Sequence, residues 1–98
     1  MIDKNTALKI WSKAEAVPGY DSSTHRKDAC GAWMSFSAYG DHSSNYGWEI
    51  DHITPKSKGG SDALSNLRPM QWENFMVKSK DGKLCCVVTS DGDQVKHL

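Results

Sequence analysis

The segment from residue 46 to residue 80 constrains the fold of this chain more than any other part of it. A strand-like run over residues 46–53 carries the adjacent pair Asp51 and His52 near its end. The loop that follows, 54–65, contains one proline and two consecutive glycines, and a polar helical segment comes after it. Because long loops in compact chains are usually functional, the pair and the loop together indicate a reactive site.

Hydrophobic periodicity and turn residues predict an α+β fold for a small single domain that spans residues 1–98. The core of the domain is predicted at 46–80, with a C-terminal extension at 84–98 that contains an Asp-Gly turn and is typical of a β-hairpin. Residues 20–29 are polar and are expected to be irregular. The predicted elements are an N-terminal helix at 6–16, strands at 32–39, 46–53 and 67–69, a helix from Met70 or Gln71 to Lys80, and strands at 84–89 and 94–98.

Charge is uneven along the chain, although its formal net charge is zero. Residues 54–83 hold six Lys and Arg against three Asp and Glu, whereas residues 1–53 hold five against seven. A nucleic-acid backbone requires basic side chains, and this excess follows directly after Asp51 and His52. Charge alone is equally compatible with ordinary surface scatter.

The three cysteines, Cys30, Cys85 and Cys86, make a poor disulfide framework because their number is odd and two of them are adjacent. We therefore predict reduced thiols, with the adjacent pair in the core of a strand. The chain shows no signal-peptide pattern and no apolar run long enough for a membrane span. These features predict a cytoplasmic protein, in a bacterial or phage-infected cell if the resemblance described below holds.

Phosphodiester hydrolysis is a reaction that this set of residues can serve. It needs a base for the attacking water, positive charge at the phosphorane and stabilisation of the leaving oxygen. A histidine is a base near neutral pH, and a divalent metal held by carboxylate or amide oxygens supplies the other two. His52 is the candidate base and Asp51 the candidate metal ligand. Asn66 can hold the intervening loop by side-chain-to-backbone hydrogen bonds.

Further residues extend this pattern in both directions. They are Tyr46–Ile53, Pro55, Ser57, Gly59–Asp62, Asn66-Leu67, Gln71–Asn74 and Lys78 in the centre, and Trp11, Lys13-Ala14, Gly19–Asp21, Arg26–Asp28 and Gly31-Ala32 before them. With these residues, over about 6–80, the chain resembles the HNH endonucleases and especially their small bacterial and phage members. The resemblance implies a ββα-metal fold, in which two short antiparallel strands and a helix surround one divalent ion.

The resemblance also implies a role for each matching position. Asp51 corresponds to the metal-binding acid and His52 to the general base. Asn66 corresponds to the residue that positions the loop, and Lys78 to a helix lysine that approaches phosphate. The third signature position lies nine residues after Asn66; it is Asn or His in the family and binds the metal, but here it is Phe75.

This departure leaves the metal site open to three explanations. Asn74, one helix step and about 100° away from Phe75, replaces the missing ligand; or activity was lost naturally; or Phe75 is an engineered change. We take Asp51 and Asn74 as the predicted ligands of one divalent ion. Oxygen ligands favour Mg²⁺ or Mn²⁺.

Two functions are therefore predicted for the chain. The first is a metal-dependent HNH endonuclease that hydrolyses DNA, with double-stranded DNA expected and Lys56, Lys58, Arg68 and Lys78 as candidate phosphate contacts. The alternative is a catalytically decayed HNH scaffold that acts as a binding module or inhibitor, for example a phage protein directed against a host defence complex. In either case we expect a protein partner that supplies targeting or is inhibited. An exposed strand edge between Leu84 and Leu98 is the candidate surface for it.

Overall fold

A computed structural model describes residues 3–78 and 82–98 of the chain. The N-terminal helix, α1, runs over Lys4–Trp11, and Asp3 caps it by accepting a hydrogen bond of 2.7 Å from a backbone N–H of the first turn. The prediction that this helix extends to residue 16 is wrong. The guanidinium of Arg26 donates to the carbonyls of residues 12 and 14, which ties the chain after the helix to a different element.

Two short strands form an antiparallel hairpin after α1. They are β1, His25–Lys27, and β2, Trp33–Ser35. The prediction of irregular structure is wrong for β1, whose polar residues lack the apolar alternation that marks a strand. The strand predicted over 32–39 is shorter in the structure, because the chain turns into a 3₁₀ helix at Phe36–Ala38.

The centre of the fold is a pair of strands followed by a helix. Strand β3, Trp48–His52, pairs antiparallel with β4, Leu67–Gln71, in a register that sets Asp51 opposite Arg68. Helix α2, Trp72–Val77, follows β4 directly, and the side-chain oxygen of the last β4 residue caps it. The strands and helix have the predicted ββα order. The helix ends three residues before the predicted Lys80, which itself lies outside the described residues.

A second hairpin confirms the predicted C-terminal element. Its strands are β5, Val88–Asp91, and β6, Gln94–His97, so the strand predicted from residue 84 begins later than expected. The prediction of reduced thiols is wrong for two of the three cysteines, because Cys30 and Cys86 form a disulfide. Cys85 is free and exposed, not in a strand core. The disulfide attaches the chain before β5 to the turn before β2.

The core joins α1 to the central strands through aromatic side chains. Trp11, Met34 and Trp48 are buried together, and the rings of the two tryptophans lie 5.3 Å apart. Phe36 and Ile50 pack against them from partly buried positions. The result is the predicted α+β fold. Within residues 3–78 and 82–98, no helix has the length and apolar character needed to cross a membrane.

Candidate active site

A cleft of about 390 Å³ lies beside the end of β3. Strand β3, the loop that follows it and the C-terminal part of α2 form its walls. The residues that line it include Asp51 and His52 from the strand, Pro55 and Lys56 from the loop, and Phe75 and Lys78 from the helical side. The cleft thus brings the predicted acid, base and helix lysine to one place.

His52 is held at the wall of this cleft by a carboxylate from the loop. Its Nε2 lies 2.8 Å from Oδ1 of Asp62, and the side chain of His52 is 30% exposed. An ionised carboxylate can only accept, so Nε2 carries the proton and donates it to this bond. In the neutral ring the lone pair is then on Nδ1, which makes Nδ1 the nitrogen that can take a proton.

Asp62 is stabilised as an anion by two basic side chains. The hydrogen bond from His52, followed by the one from Lys56, lowers the pKa of Asp62 below its ordinary value of 3.8. The Nζ of Lys56 lies 3.1 Å from the second oxygen of the same carboxylate. Asp62 therefore stays charged at neutral pH and keeps the imidazole oriented.

Asn66 closes the loop that carries Asp62. The backbone N–H of Thr54 donates to Oδ1 of Asn66 at 2.8 Å, and Nδ2 donates to the carbonyls of Thr54 and Ser61 at 3.0 and 2.8 Å. At Gly60 the loop also passes very close to its own start, because a Cβ atom there would lie 1.8 Å from the carbonyl oxygen of Thr54. Asn66 thus holds the loop by side-chain-to-backbone hydrogen bonds, as expected from the sequence. A role for Asn66 in catalysis stays a prediction.

Asp51 is paired with two cations in the structure. It is 3% exposed, and its two oxygens accept from Nε of Arg68 at 2.8 Å and from Nζ of Lys78 at 2.9 Å. Lys78 also donates to the carbonyl of His52. The group of one anion and two cations has a surplus of one positive charge.

The four candidate phosphate contacts differ in their position relative to the cleft. Lys56 and Lys78 line the cleft, and both are already bonded to carboxylates. Lys58 is exposed on the loop, and Arg68 lies on β4 beneath Asp51 and is not among the residues of the cleft wall. Only two of the four therefore lie at the predicted site.

Asn74 is not brought into the cleft. It is fully buried, and its Nδ2 donates to Oδ2 of Asp28 at 3.1 Å and to the carbonyl of Val88 at 3.0 Å. Its Oδ1 accepts from the backbone N–H groups of Val87 and Val88 at 2.8 and 2.9 Å. Both polar atoms thus bind the C-terminal hairpin and Asp28, so this placement does not support the prediction that Asn74 shares a metal with Asp51.

The residues of the cleft do not fit a divalent metal in this arrangement. Such an ion takes about six oxygen ligands, some of them waters. The cleft offers the carboxylate of Asp51, which already neutralises two cations, and Phe75 lines the wall without a ligand atom. Among the residues that the structure describes, no group of three or more His, Cys, Asp and Glu is placed to hold a metal ion.

Two acidic residues with clear positions were missed from the sequence. Asp62 was part of the matching loop but had no assigned role; its place after Gly59-Gly60, in a loop that folds back to His52, was the available signal. Asp28 is buried and accepts hydrogen bonds from Gln71 and Asn74, and no local pattern indicated it because these partners are more than forty positions away.

Comparison with known proteins gives one match. Residues 37–70 match the family model described as HNH endonuclease. No curated protein and no solved structure matches the chain. The matched segment includes Asp51, His52 and Asn66 and ends before Phe75. Over residues 37–70, the chain is therefore similar to the HNH endonuclease family.

Proposed function

We propose that this protein hydrolyses phosphodiester bonds of double-stranded DNA at the cleft beside β3, with His52 as the general base. The observation that supports it most directly is the hydrogen bond between Nε2 of His52 and Asp62. A base must be held in one tautomer and one orientation, and a carboxylate on the opposite nitrogen does both. The similarity of residues 37–70 to the HNH endonucleases supports the reaction class.

The proposed chemistry uses groups on the wall of the cleft. A water molecule beside Nδ1 of His52 gives its proton to the imidazole as its oxygen attacks phosphorus. The bond between phosphorus and one ester oxygen of the DNA backbone breaks, the leaving oxygen takes a proton from solvent water, and the imidazolium later returns its proton to solvent. Charge that develops on the phosphoryl oxygens is stabilised by the ammonium groups of Lys56 and Lys78, which line the same cleft. Asp62 stabilises the imidazolium that forms.

We expected Mg²⁺ or Mn²⁺, which fits the general use of a divalent ion in this family. Because the donor atoms in the cleft do not fit such an ion, the chemistry described above uses no metal. Comparison of the nicking rates in EDTA, Mg²⁺ and Mn²⁺ tests whether the reaction requires one.

Binding of DNA without hydrolysis is the second candidate function. Two observations favour it: the ion pairs of Asp51 with Arg68 and Lys78, and Phe75 at the cleft wall. A scaffold of this kind retains the basic cleft and lacks the groups for metal-assisted chemistry. It shares the catalytically decayed scaffold with the predicted binding module or inhibitor, whose protein partner stays a prediction.

Nicking of supercoiled plasmid separates these functions. We expect the native chain to nick, and His52→Ala to be slower by a factor of about 100 or more, the usual contribution of a general base. His97→Ala is the matched control, because His97 lies on β6 and bonds to Glu73 outside the cleft. An undiminished rate in His52→Ala would contradict the assigned base. Binding of the DNA by the native chain without any nicking would establish the second function.

A further inference from the structure

We propose that Lys78 takes the place of the divalent ion in this site, so that the cleft binds a DNA phosphate without a metal. The inference rests on the proposed function only for its ligand, a phosphodiester. It concerns how the cleft supplies positive charge, and it holds whether or not the bond is then cleaved.

The position of the Lys78 ammonium supports this inference. Its side chain is 8% exposed, and Nζ is fixed between Oδ1 of Asp51 and the carbonyl of His52. An ammonium has three N–H donors. Within the described part of the chain, Asp51 and the carbonyl of His52 accept two of them, which leaves one for a phosphate oxygen in the cleft that Lys78 lines.

Charge balance also favours a bound anion over a bound cation. The group of Asp51, Arg68 and Lys78 has a surplus of one positive charge. A divalent ion on either oxygen of Asp51 would lie within a few ångströms of an ammonium or a guanidinium, and like charges at that distance repel. A phosphodiester, with one negative charge, neutralises the surplus.

Phe75, which lines the cleft from the same helical side as Lys78, also favours an anion over a metal ion. At the position where the family has a metal ligand, this chain has an apolar ring that cannot coordinate. An apolar ring in the lining of the cleft lowers the local access of water, and this strengthens a contact between an ammonium and a phosphate oxygen there. The side chains of Lys78 and Phe75 therefore favour the same ligand.

Substitution of Asp51 has opposite effects on DNA binding if Asp51 is a metal ligand and if it is the counter-ion of Lys78. If Asp51 were a metal ligand, Asp51→Asn would remove metal binding and weaken any metal-dependent binding of DNA. If it is the counter-ion of Lys78, Asp51→Asn removes a negative charge from the cleft. We then expect DNA to bind more tightly in EDTA, by about three- to tenfold at low salt.

Two measurements on the full chain test the inference. The first is titration with Mn²⁺ followed by electron paramagnetic resonance, without DNA. We expect no binding that depends on Asp51 below about 1 mM Mn²⁺, the weak end of protein sites for divalent ions. The second is fluorescence anisotropy with a labelled DNA duplex. We expect affinity in EDTA and in Mg²⁺ to agree within about twofold at equal ionic strength.

Variants of Lys78 test whether its ammonium is the group that binds the DNA phosphate. Lys78→Met should weaken DNA binding in EDTA by about three- to tenfold, whereas Lys96→Met, on exposed β6, should change it little. If circular dichroism shows that Lys78→Met is unfolded, the double variant Asp51→Asn, Lys78→Met removes both members of the ion pair. It should bind DNA more weakly than Asp51→Asn alone.

The inference is overturned by Mn²⁺ binding tighter than about 1 mM that Asp51→Asn abolishes. It is also overturned if DNA binding requires Mg²⁺, or if Asp51→Asn weakens binding in EDTA. Failure of the proposed hydrolysis can be distinguished from failure of this inference. Absence of nicking, with Lys78-dependent binding in EDTA, rejects hydrolysis and supports the inference. Nicking that requires Mg²⁺ and Asp51 supports hydrolysis and rejects the inference.

Discussion

Replacement of Asn74 by alanine should destabilise the fold strongly and leave metal affinity unchanged. Its side chain makes four hydrogen bonds, of which one goes to Asp28, one to the carbonyl of Val88 and two come from the N–H groups of Val87 and Val88. These bonds connect α2 to the start of β5 and to the turn before β2. Alanine removes all four and leaves buried donors and acceptors without partners.

The expected loss can be estimated from these bonds. A hydrogen bond contributes about 1 kcal/mol net, and more when one partner is charged, as Asp28 is. Because the site is fully buried, water does not replace the lost partners. We therefore expect a loss of about 3–5 kcal/mol, against the total of about 5–15 kcal/mol that is usual for a domain.

Urea denaturation followed by tryptophan fluorescence measures this loss. With an m value of about 1.5 kcal/mol/M, the midpoint for Asn74→Ala should fall by about 2–3 M. Asn5→Ala is the matched control, because Asn5 is exposed in α1 and its replacement should change stability by less than about 0.7 kcal/mol. A loss below about 1 kcal/mol for Asn74→Ala, together with a loss of Mn²⁺ binding, would refute the structural role and restore Asn74 as a ligand.

Three further predictions follow from contacts elsewhere in the chain. Reduction of the disulfide between Cys30 and Cys86 should cost about 2–4 kcal/mol of stability, as measured by urea denaturation with and without reductant, because it closes a loop with a sequence separation of 56. Three free thiols in the unreduced chain would contradict the disulfide. The hydrogen bonds from His52 and Lys56 lower the pKa of Asp62 below 3.8. These bonds therefore stabilise the folded state fully above pH 3.8, and this contribution is lost as the pH falls through the lowered pKa. Nuclear magnetic resonance titration of this carboxyl should show a midpoint below 3.8, and a midpoint at or above it would reject the pairing with His52. If Lys58 contacts DNA phosphate, Lys58→Met should reduce the slope of log affinity against log salt by about 1, and an unchanged slope would remove Lys58 from the interface.

The central strands and helix could be predicted because their signals are local. The strand that ends at Asp51 and His52, the glycine loop and the helix after it each follow from residues within a short window. The bonds of Asn66 to the loop were also predictable, because a side-chain amide twelve positions from Thr54 can reach across a loop that turns back at glycines. In these cases the partner and the signal lie in the same segment.

The contacts that determine how the site works depend on pairs far apart in the chain. Arg68 reaches Asp51 because of the register between β3 and β4, which the apolar pattern alone did not specify. Asn74 meets Asp28 across 46 positions, and the disulfide joins cysteines 56 positions apart. Neither the amide nor the odd number of cysteines carries information about a distant partner. The sequence therefore allowed the wrong prediction of reduced thiols, and it did not indicate the buried surroundings of Asn74.

Adjacent positions on α2 have separate tasks, and this limits how a metal site could be restored. One helix step turns a side chain by about 100°, so Asn74 and Phe75 face different surroundings. Asn74 faces the buried junction with β5, whereas Phe75 faces the cleft. A shift that brought Asn74 to Asp51 would break its four bonds to the hairpin and to Asp28. Recruitment of Asn74 as a substitute ligand would therefore cost the fold more stability than Phe75→Asn, which changes only a residue of the cleft wall. Even with that ligand restored, Lys78 would still neutralise Asp51, so recovery of metal binding requires a change at both Phe75 and Lys78.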